Sequence, residues 1–483
     1  MNLMVNIKRF RGYFRKAFGR ETAIGKAALA AAGFIKAHIP RVDSKVHFGF
    51  FVLVLAAAAY FRFWAAPISA GVDVPQFWAF AKVFQTHGID FYRYADATGE
   101  IFPVKGWAFV YPPIWLLILG VALAATPMSL VTPTIVDPAW RVAMKTPIIA
   151  ADLAIGCLLY WAIPGGKLKK LFFASLWLFH PTSWYNSAVF GQFDAIAAAL
   201  LLGAVILLER GKDRPAFFVA ALAVMTKQHV LIPVFLMIAV CIRTLGWRRL
   251  LGDIAIFAGV VIVISIPFLL TGNFVDYGRS LLFPGQVPDY QTPLMYAFSG
   301  GGSLLTYFHL YFNWDTIGFF PWFIPLLIIG IATAFIFSYR KNTSPSQAAL
   351  VGFLVFICFN YRVNYQYLVI YIPLALWVAA ASRFKLEKAF GIVMALLPAV
   401  WMWLFEVGFW FFLFLPQDIK DLPILEHIGW MHLGMPDYSY VILAMVLMGV
   451  FLAYIVLVFT KWRQPKMLEP VEINKSYHDF RKG

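Results

Sequence analysis

The sequence predicts an all-α, polytopic membrane protein with about twelve transmembrane helices. Three observations carry that prediction. Apolar residues make up 61% of the 483 positions and charged residues only 13%, with a mean hydropathy of +0.74. A soluble chain is typically about 45–50% apolar and about 25% charged. Long apolar stretches recur along the chain, and a bilayer core takes about 20 such residues per helix. Between them, Lys and Arg gather in alternate loops, the pattern of a chain whose basic loops stay in the cytoplasm. No soluble fold hides this much apolar surface, so a multi-domain soluble protein is excluded, as are a disordered chain and a disulfide scaffold.

At the start of the chain, residues 1–46 are basic throughout and too long for a signal peptide. They read as a cytoplasmic or interfacial amphipathic segment on anionic lipid. A transmembrane domain occupies 47–461. Its spanning stretches are 47–68, 140–163, 171–187, 194–209, 250–271, 317–339, 365–382, 388–414 and 438–461, with shorter ones at 214–227, 229–242 and 347–360. The loops holding Lys167–Lys170, Arg210–Arg214, Arg243–Arg249, Arg340-Lys341 and Arg383–Lys388, and the tail 462–483, are assigned to the cytoplasm. Segment 108–126 is then a helix that enters the outer leaflet and returns, because a full crossing would put Lys167–Lys170 outside. Segment 293–312 can span or re-enter. Both termini are cytoplasmic on this count. The external loops are 69–139, 272–316 and 415–437; the first has an amphipathic stretch with Phe77, Trp78, Phe80 and Phe84, then Tyr111-Pro112-Pro113.

A net charge of +16 would suggest nucleic acid in a soluble chain. Here 30 of the 40 Lys and Arg and 9 of the 24 acids fall on the cytoplasmic side, which carries +21 against −4 outside. The charge therefore speaks for orientation and for anionic lipid at the cytoplasmic face, and no nucleic-acid partner is expected. Cys157, Cys241 and Cys358 stand apart in apolar stretches and read as small buried residues. No metal spacing, phosphate-binding glycine loop or dinucleotide fingerprint is present.

The informative residues are polar groups at external helix ends, where a charge is costly without a partner or a task. Asp73, just beyond the first span, can take a proton from a hydroxyl or cap the helix that Pro75 opens. Arg141, Lys145 and Asp152 share one helical face. The two cations can hold a phosphate, or Lys145 can pair with an acid elsewhere. His180, Gln192 and Asp194 suit sugar hydroxyls, with Asp194 alternatively an N-cap. Lys227-Gln228-His229 interrupts an apolar run; a Lys there can hold a phosphate or snorkel. Arg362 and Asn364 suit phosphate and sugar, or act as interfacial anchors. Glu406 has no assignment.

These pieces, in this order, resemble the multi-spanning glycosyltransferases of the GT-C class, whose donors are polyprenyl-phosphate sugars. The likeness rests on Asp73 in a long first external loop, Tyr111-Pro112-Pro113, a basic residue opening the next span, Gly191-Gln192-Phe193-Asp194, Lys227-Gln228 and Arg362-Val363-Asn364-Tyr365-Gln366. It is nearest to ER dolichyl-phosphate-glucose glucosyltransferases and bacterial polyprenyl-phosphate-mannose mannosyltransferases, and covers roughly 70–430. The resemblance implies inverting transfer of a hexose, mannose or glucose, with Asp73 as general base. Lys227, Arg362, Arg141 and Lys145 would hold the donor phosphate. Tyr111, His180, Gln192, Asp194, Gln228, His229 and Asn364 would line the sugar and acceptor sites. The acceptor would be a lipid-linked glycan, a glycolipid or a protein, in a prokaryotic plasma membrane or the ER. No cofactor is expected, because Asp73 lacks the neighbouring acid that a divalent ion wants. The competing reading is a transporter or flippase of lipid-linked sugars, which would place its charges nearer the midplane.

Overall fold

A computed structural model describes residues 44–71, 73–126, 137–270, 274–282, 301–360, 363, 365–401 and 437–460. The chain divides into two compact units, residues 1–53 and 54–483. The first contributes only the opening turns of helix α1 to the described residues; everything from Val54 onward belongs to the second. The expectations for 1–43, Arg362, Asn364, Glu406 and the tail from 461 lie outside the described residues.

All regular structure among the described residues is helical. In chain order the helices are α1 (Ser44–Ala65), α2 (Asp73–His87), α3 (Pro113–Ala125), α4 (Pro138–Ala162), α5 (Lys167–Leu178), α6 (Pro181–Trp184), α7 (Asp194–Glu209), α8 (Asp213–Thr226), α9 (Leu231–Leu245) and α10 (Trp247–Leu269). Then come α11 (Phe274–Leu282), α12 (Gly301–Phe312), α13 (Phe323–Arg340), α14 (Pro345–Phe359), α15 (Leu368–Ala381), α16 (Lys385–Trp401) and α17 (Asp437–Thr460). Six of them are long and apolar enough to cross a membrane: Lys45–Ala65, Pro138–Ala162, Gln228–Leu245, Trp247–Leu269, Phe323–Arg340 and Val441–Thr460. The protein is an integral, multi-pass membrane protein.

Of about twelve expected spans, six have a helix of spanning length among the described residues. Among the described residues every expected stretch carries a helix, and of those helices α5, α7, α8, α14 and α15 have 12–16 residues. The stretch 171–187 is broken at Phe179-His180, where Pro181 can neither donate a helical hydrogen bond nor fit behind the preceding turn. A short α6 and a π-helical turn, Tyr185–Phe190, come next. Helix α3 has 13 residues, about 20 Å at 1.5 Å per residue against a bilayer core of about 30 Å. The amphipathic stretch with Phe77, Trp78, Phe80 and Phe84 appears as α2, packed on α3.

Burial sorts the helices. Residues Leu368 to Ala380 of α15 are all buried, as is most of α14. A helix that is apolar all round belongs at a centre. On α10 and α13 the large side chains Ile262, Val263, Ile266, Ile324, Ile328 and Ile329 are exposed, the face a bilayer would cover. Lipid is as apolar as Leu, so helices here associate by close packing. Gly352 of α14 shows this: a Cβ there would stand 2.8 Å from the Pro233 Cα of α9.

The helix ends divide into two sets. One set joins the C-terminus of α7 to the starts of α8, α10, α14 and α16. There Arg249 forks onto Asp213, Glu209 accepts from Ser346 N at 3.2 Å and Trp377 Nε1 at 2.9 Å, and Glu387 accepts from Gln347 Nε2 at 2.6 Å. Ser344 and Gln347 close a reciprocal capping box at the start of α14. The other set carries the residues singled out from the sequence.

Candidate active site

The site is built where the connection from α1 meets the turn before α7 and the break between α8 and α9. Asp73 opens α2 and is half-buried. The amide of Gln192 donates to its Oδ2. Gln192 is aimed there by its backbone: Asn186 O accepts from both Gly191 N at 3.0 Å and Gln192 N at 2.8 Å, closing the π turn. Such turns recur at functional sites. Gly191 ends it at φ +82°, and a Cβ there would lie 2.9 Å from Met144 Cε and Val74 Cγ2. Only glycine meets both demands.

Asp194 is the first residue of α7, where a carboxylate complements the helix dipole. Its side chain does not cap; it pairs with Lys227 Nζ at 2.6 Å, and neither side chain is exposed. Lys227 stands in the break between α8 and α9 with extended backbone. Its ammonium lies over three rings, Phe193 at 4.8 Å, Tyr367 at 5.0 Å and Tyr111 at 5.9 Å, and within electrostatic reach of Asp73. A buried cation needs that combination of counter-charge and ring faces.

The rings are themselves held. Phe193 stacks on Trp115 at 4.4 Å and meets Tyr111 edge-on at 4.8 Å. Tyr92 donates its hydroxyl to Tyr111 O at 2.9 Å. Burial, with Tyr277 beside it, pushes the Tyr92 hydroxyl well above its ordinary range and keeps it a donor. Gln228 donates to Val110 O at 2.7 Å, and His229 stacks on Phe356 at 5.1 Å. Among the described residues, the buried polar atoms around this node without a hydrogen-bond partner include Gln192 Oε1, Gln228 Oε1 and His229 Nε2. Buried polar groups are normally paired, so a bound hydroxyl is a fitting occupant.

The structure thus brings Asp73, Tyr111, Gln192, Asp194, Lys227, Gln228 and His229 into one cluster. Others from the sequence reading have partners of their own. Lys145 gives its protons to backbone carbonyls of Ser69, Ala188, Val189 and Ala66. Asp152, which shares the α4 face with it, pairs with Arg62 at 2.7 Å and accepts from Ser183 and Ser187. Arg141 is buried beside Asp137, its Nε donating to Asp137 O at 3.3 Å. His180 Nε2 meets Ala395 O of α16 at 2.7 Å. Among the described residues, no three His, Cys, Asp or Glu side chains are grouped to hold a metal ion.

Sequence reasoning missed Phe193 and Tyr367, which it passed over as spacers between polar residues, and Arg62, an unexplained charge in a span. It also missed Gln76, whose amide accepts from Val104 N and donates to Val104 O and Trp107 O, holding the loop to α2. A lone amide on the apolar face of α2 was the available signal.

Residues 109–359, more than half of the chain, match glycosyltransferase family 87. The chain belongs to that family. The family 87 match takes in Tyr111, Arg141, Lys145, Gln192, Asp194, Lys227, Gln228 and His229, while Asp73 precedes it. Among solved structures, this glycosyltransferase is similar to ArnT from Cupriavidus metallidurans bound to undecaprenyl phosphate. That likeness has 14% identity over 85% of this chain and 77% of the other, with a TM-score of 0.42. No curated protein matches the sequence.

Proposed function

We propose that this chain is an inverting GT-C-class hexosyltransferase that takes mannose or glucose from a polyprenyl-phosphate donor. The acceptor is a lipid-linked glycan, a glycolipid or a protein at the external or lumenal membrane face. One observation carries the reading: a half-buried carboxylate, Asp73, oriented by Gln192 and standing within electrostatic reach of a buried, ring-caged ammonium, Lys227.

In this reading Asp73 takes the proton of the acceptor hydroxyl as its oxygen attacks the anomeric carbon. The bond from that carbon to the donor phosphate breaks, and the phosphate leaves with its charge. Lys227 supplies positive charge where that negative charge develops, with Arg141 and Arg362 as further phosphate partners. Gln192, Gln228 and His229 offer their unpartnered atoms to sugar hydroxyls. A single base on one face suits inversion, whereas retention uses paired carboxylates about 5 Å apart. The gathering of these residues at one set of helix ends favours an enzyme with a one-sided site over a transporter.

The test uses purified wild type, Asp73→Asn and Lys227→Ala with polyprenyl-phosphate mannose or glucose and a membrane extract. Wild type should transfer hexose, and Asp73→Asn should lose about 100- to 10,000-fold in kcat, the range for a positioned acid–base group. No transfer by wild type from any such donor sinks the proposal. Full turnover by Asp73→Asn removes Asp73 as the base.

A further inference from the structure

Lys145 stands on α4, where the sequence alone suggested a donor-phosphate ligand. Its ammonium is fully buried and turned into backbone. It lies 2.6 Å from Ser69 O, 2.8 Å from Ala188 O, 2.9 Å from Val189 O and 3.2 Å from Ala66 O, with Ser69 Oγ at 3.4 Å. An ammonium has three protons, so these carbonyls use all of them. Their origin is informative. Ala66 and Ser69 belong to the connection that runs from α1 to Asp73. Ala188 and Val189 belong to the π turn that runs to Gln192 and Asp194. Four carbonyl oxygens converging in a buried place would repel one another and lack donors, and a central cation makes the arrangement tolerable.

Two further bonds hold the Asp73 segment, one to the π turn and one to α4. Gly71 N donates to Phe190 O at 3.0 Å, and Trp140 Nε1 of α4 donates to Val74 O at 3.0 Å. Asp73 lies between those two anchors. The clasp therefore fixes both ends of the Gln192–Asp73 hydrogen bond without touching either side chain.

We propose that Lys145 is a positioning residue for transfer: it ties the segment that delivers Asp73 to the segment that delivers Gln192 and Asp194. This rests on the reading of Asp73 as the general base, and it gives Lys145 a task other than holding phosphate. A misplacement of about 1 Å at a reacting group costs on the order of 100-fold, so a backbone clasp can govern rate from outside the substrate's reach.

Lys145→Met removes the donors at similar length. Lys145→Gln keeps two N–H donors on a shorter stem. Hydrogen exchange of the purified full chain in detergent reads the clasp without any substrate. In Lys145→Met, segments 66–76 and 186–194 should exchange at least about tenfold faster, consistent with local opening, while α14 and α15 keep wild-type protection. In transfer assays kcat should fall about 100-fold with the donor KM unchanged, and Lys145→Gln should recover part of both losses. A raised donor KM at wild-type kcat would make Lys145 a phosphate ligand and overturn the proposal. Unchanged exchange in both variants would overturn it too, as would loss of the fold in both. If wild type transfers nothing, the proposed function fails while the exchange experiment still decides the clasp.

Discussion

Lys227→Met should destabilise the chain more than Asp194→Asn, although the two residues form one ion pair. Both side chains are unexposed and 2.6 Å apart. Removing Lys227 leaves the Asp194 carboxylate buried without its counter-charge, a loss of about 3–5 kcal/mol for one partner of a buried pair. Removing the charge of Asp194 leaves the ammonium over Phe193 and Tyr367 at 4.8 and 5.0 Å. A desolvated cation gains up to about 2 kcal/mol from one such ring. Two rings at about 1–1.5 kcal/mol each thus offset about 2–3 kcal/mol, leaving a net cost of about 1–2 kcal/mol for Asp194→Asn. At about 2.1 cal/mol/K per residue, 483 residues carry an unfolding entropy of about 1 kcal/mol/K. Tm should therefore drop by about 3–5 °C in Lys227→Met and about 1–2 °C in Asp194→Asn. Lys227→Met combined with Asp194→Leu should return to within about 1 kcal/mol of wild type, because no orphaned charge remains. Thermal unfolding in detergent, followed by tryptophan fluorescence, measures all three. Equal shifts for the two single variants, or a double variant no better than Lys227→Met, would refute the asymmetry expected from the ring cage.

Three other outcomes follow from the geometry. Gly191→Ala should cost about 1–2 kcal/mol for a left-handed alanine, and more where its Cβ meets Met144 and Val74, so transfer should fall while the helical circular dichroism is kept. Arg62→Met should lower stability by about 3–5 kcal/mol. It orphans Asp152 and removes donors to Leu178 O and Ser183 Oγ, and a shift under about 1 kcal/mol in the same fluorescence assay would contradict that. In a background freed of Cys157, Cys241 and Cys358, Glu100→Cys should be labelled by an impermeant thiol reagent from outside and Lys212→Cys only after permeabilisation. The reverse pattern would invert the orientation assigned from the basic loops.

Much of this molecule was legible without its fold. Apolar content and stretch length required membrane helices, and helices stand on every expected stretch. The helix-end residues Asp73, Gln192, Asp194 and Lys227 were also legible, because an uncompensated charge beside an apolar run is a local anomaly. Helix continuity was not. The stretch 171–187 is apolar enough to span, yet it breaks at His180-Pro181 and rewinds as a π turn whose carbonyls Lys145 holds.

What the sequence alone determined is the class of solvent, the helical content and the set of residues needing partners. Each is a property of a short window, read from composition and spacing. What only the tertiary structure decided is which partner each charge has. Arg62 found Asp152 across 90 residues, Asp194 turned from cap to counter-ion, and Lys145 went to carbonyls while Lys227 went to a carboxylate and rings. Those two lysines look alike in sequence, each a cation at the edge of an apolar stretch. The difference between clasp and site comes from which helix ends meet, and a buried charge settles wherever packing brings it opposite charge, carbonyl oxygens or ring faces.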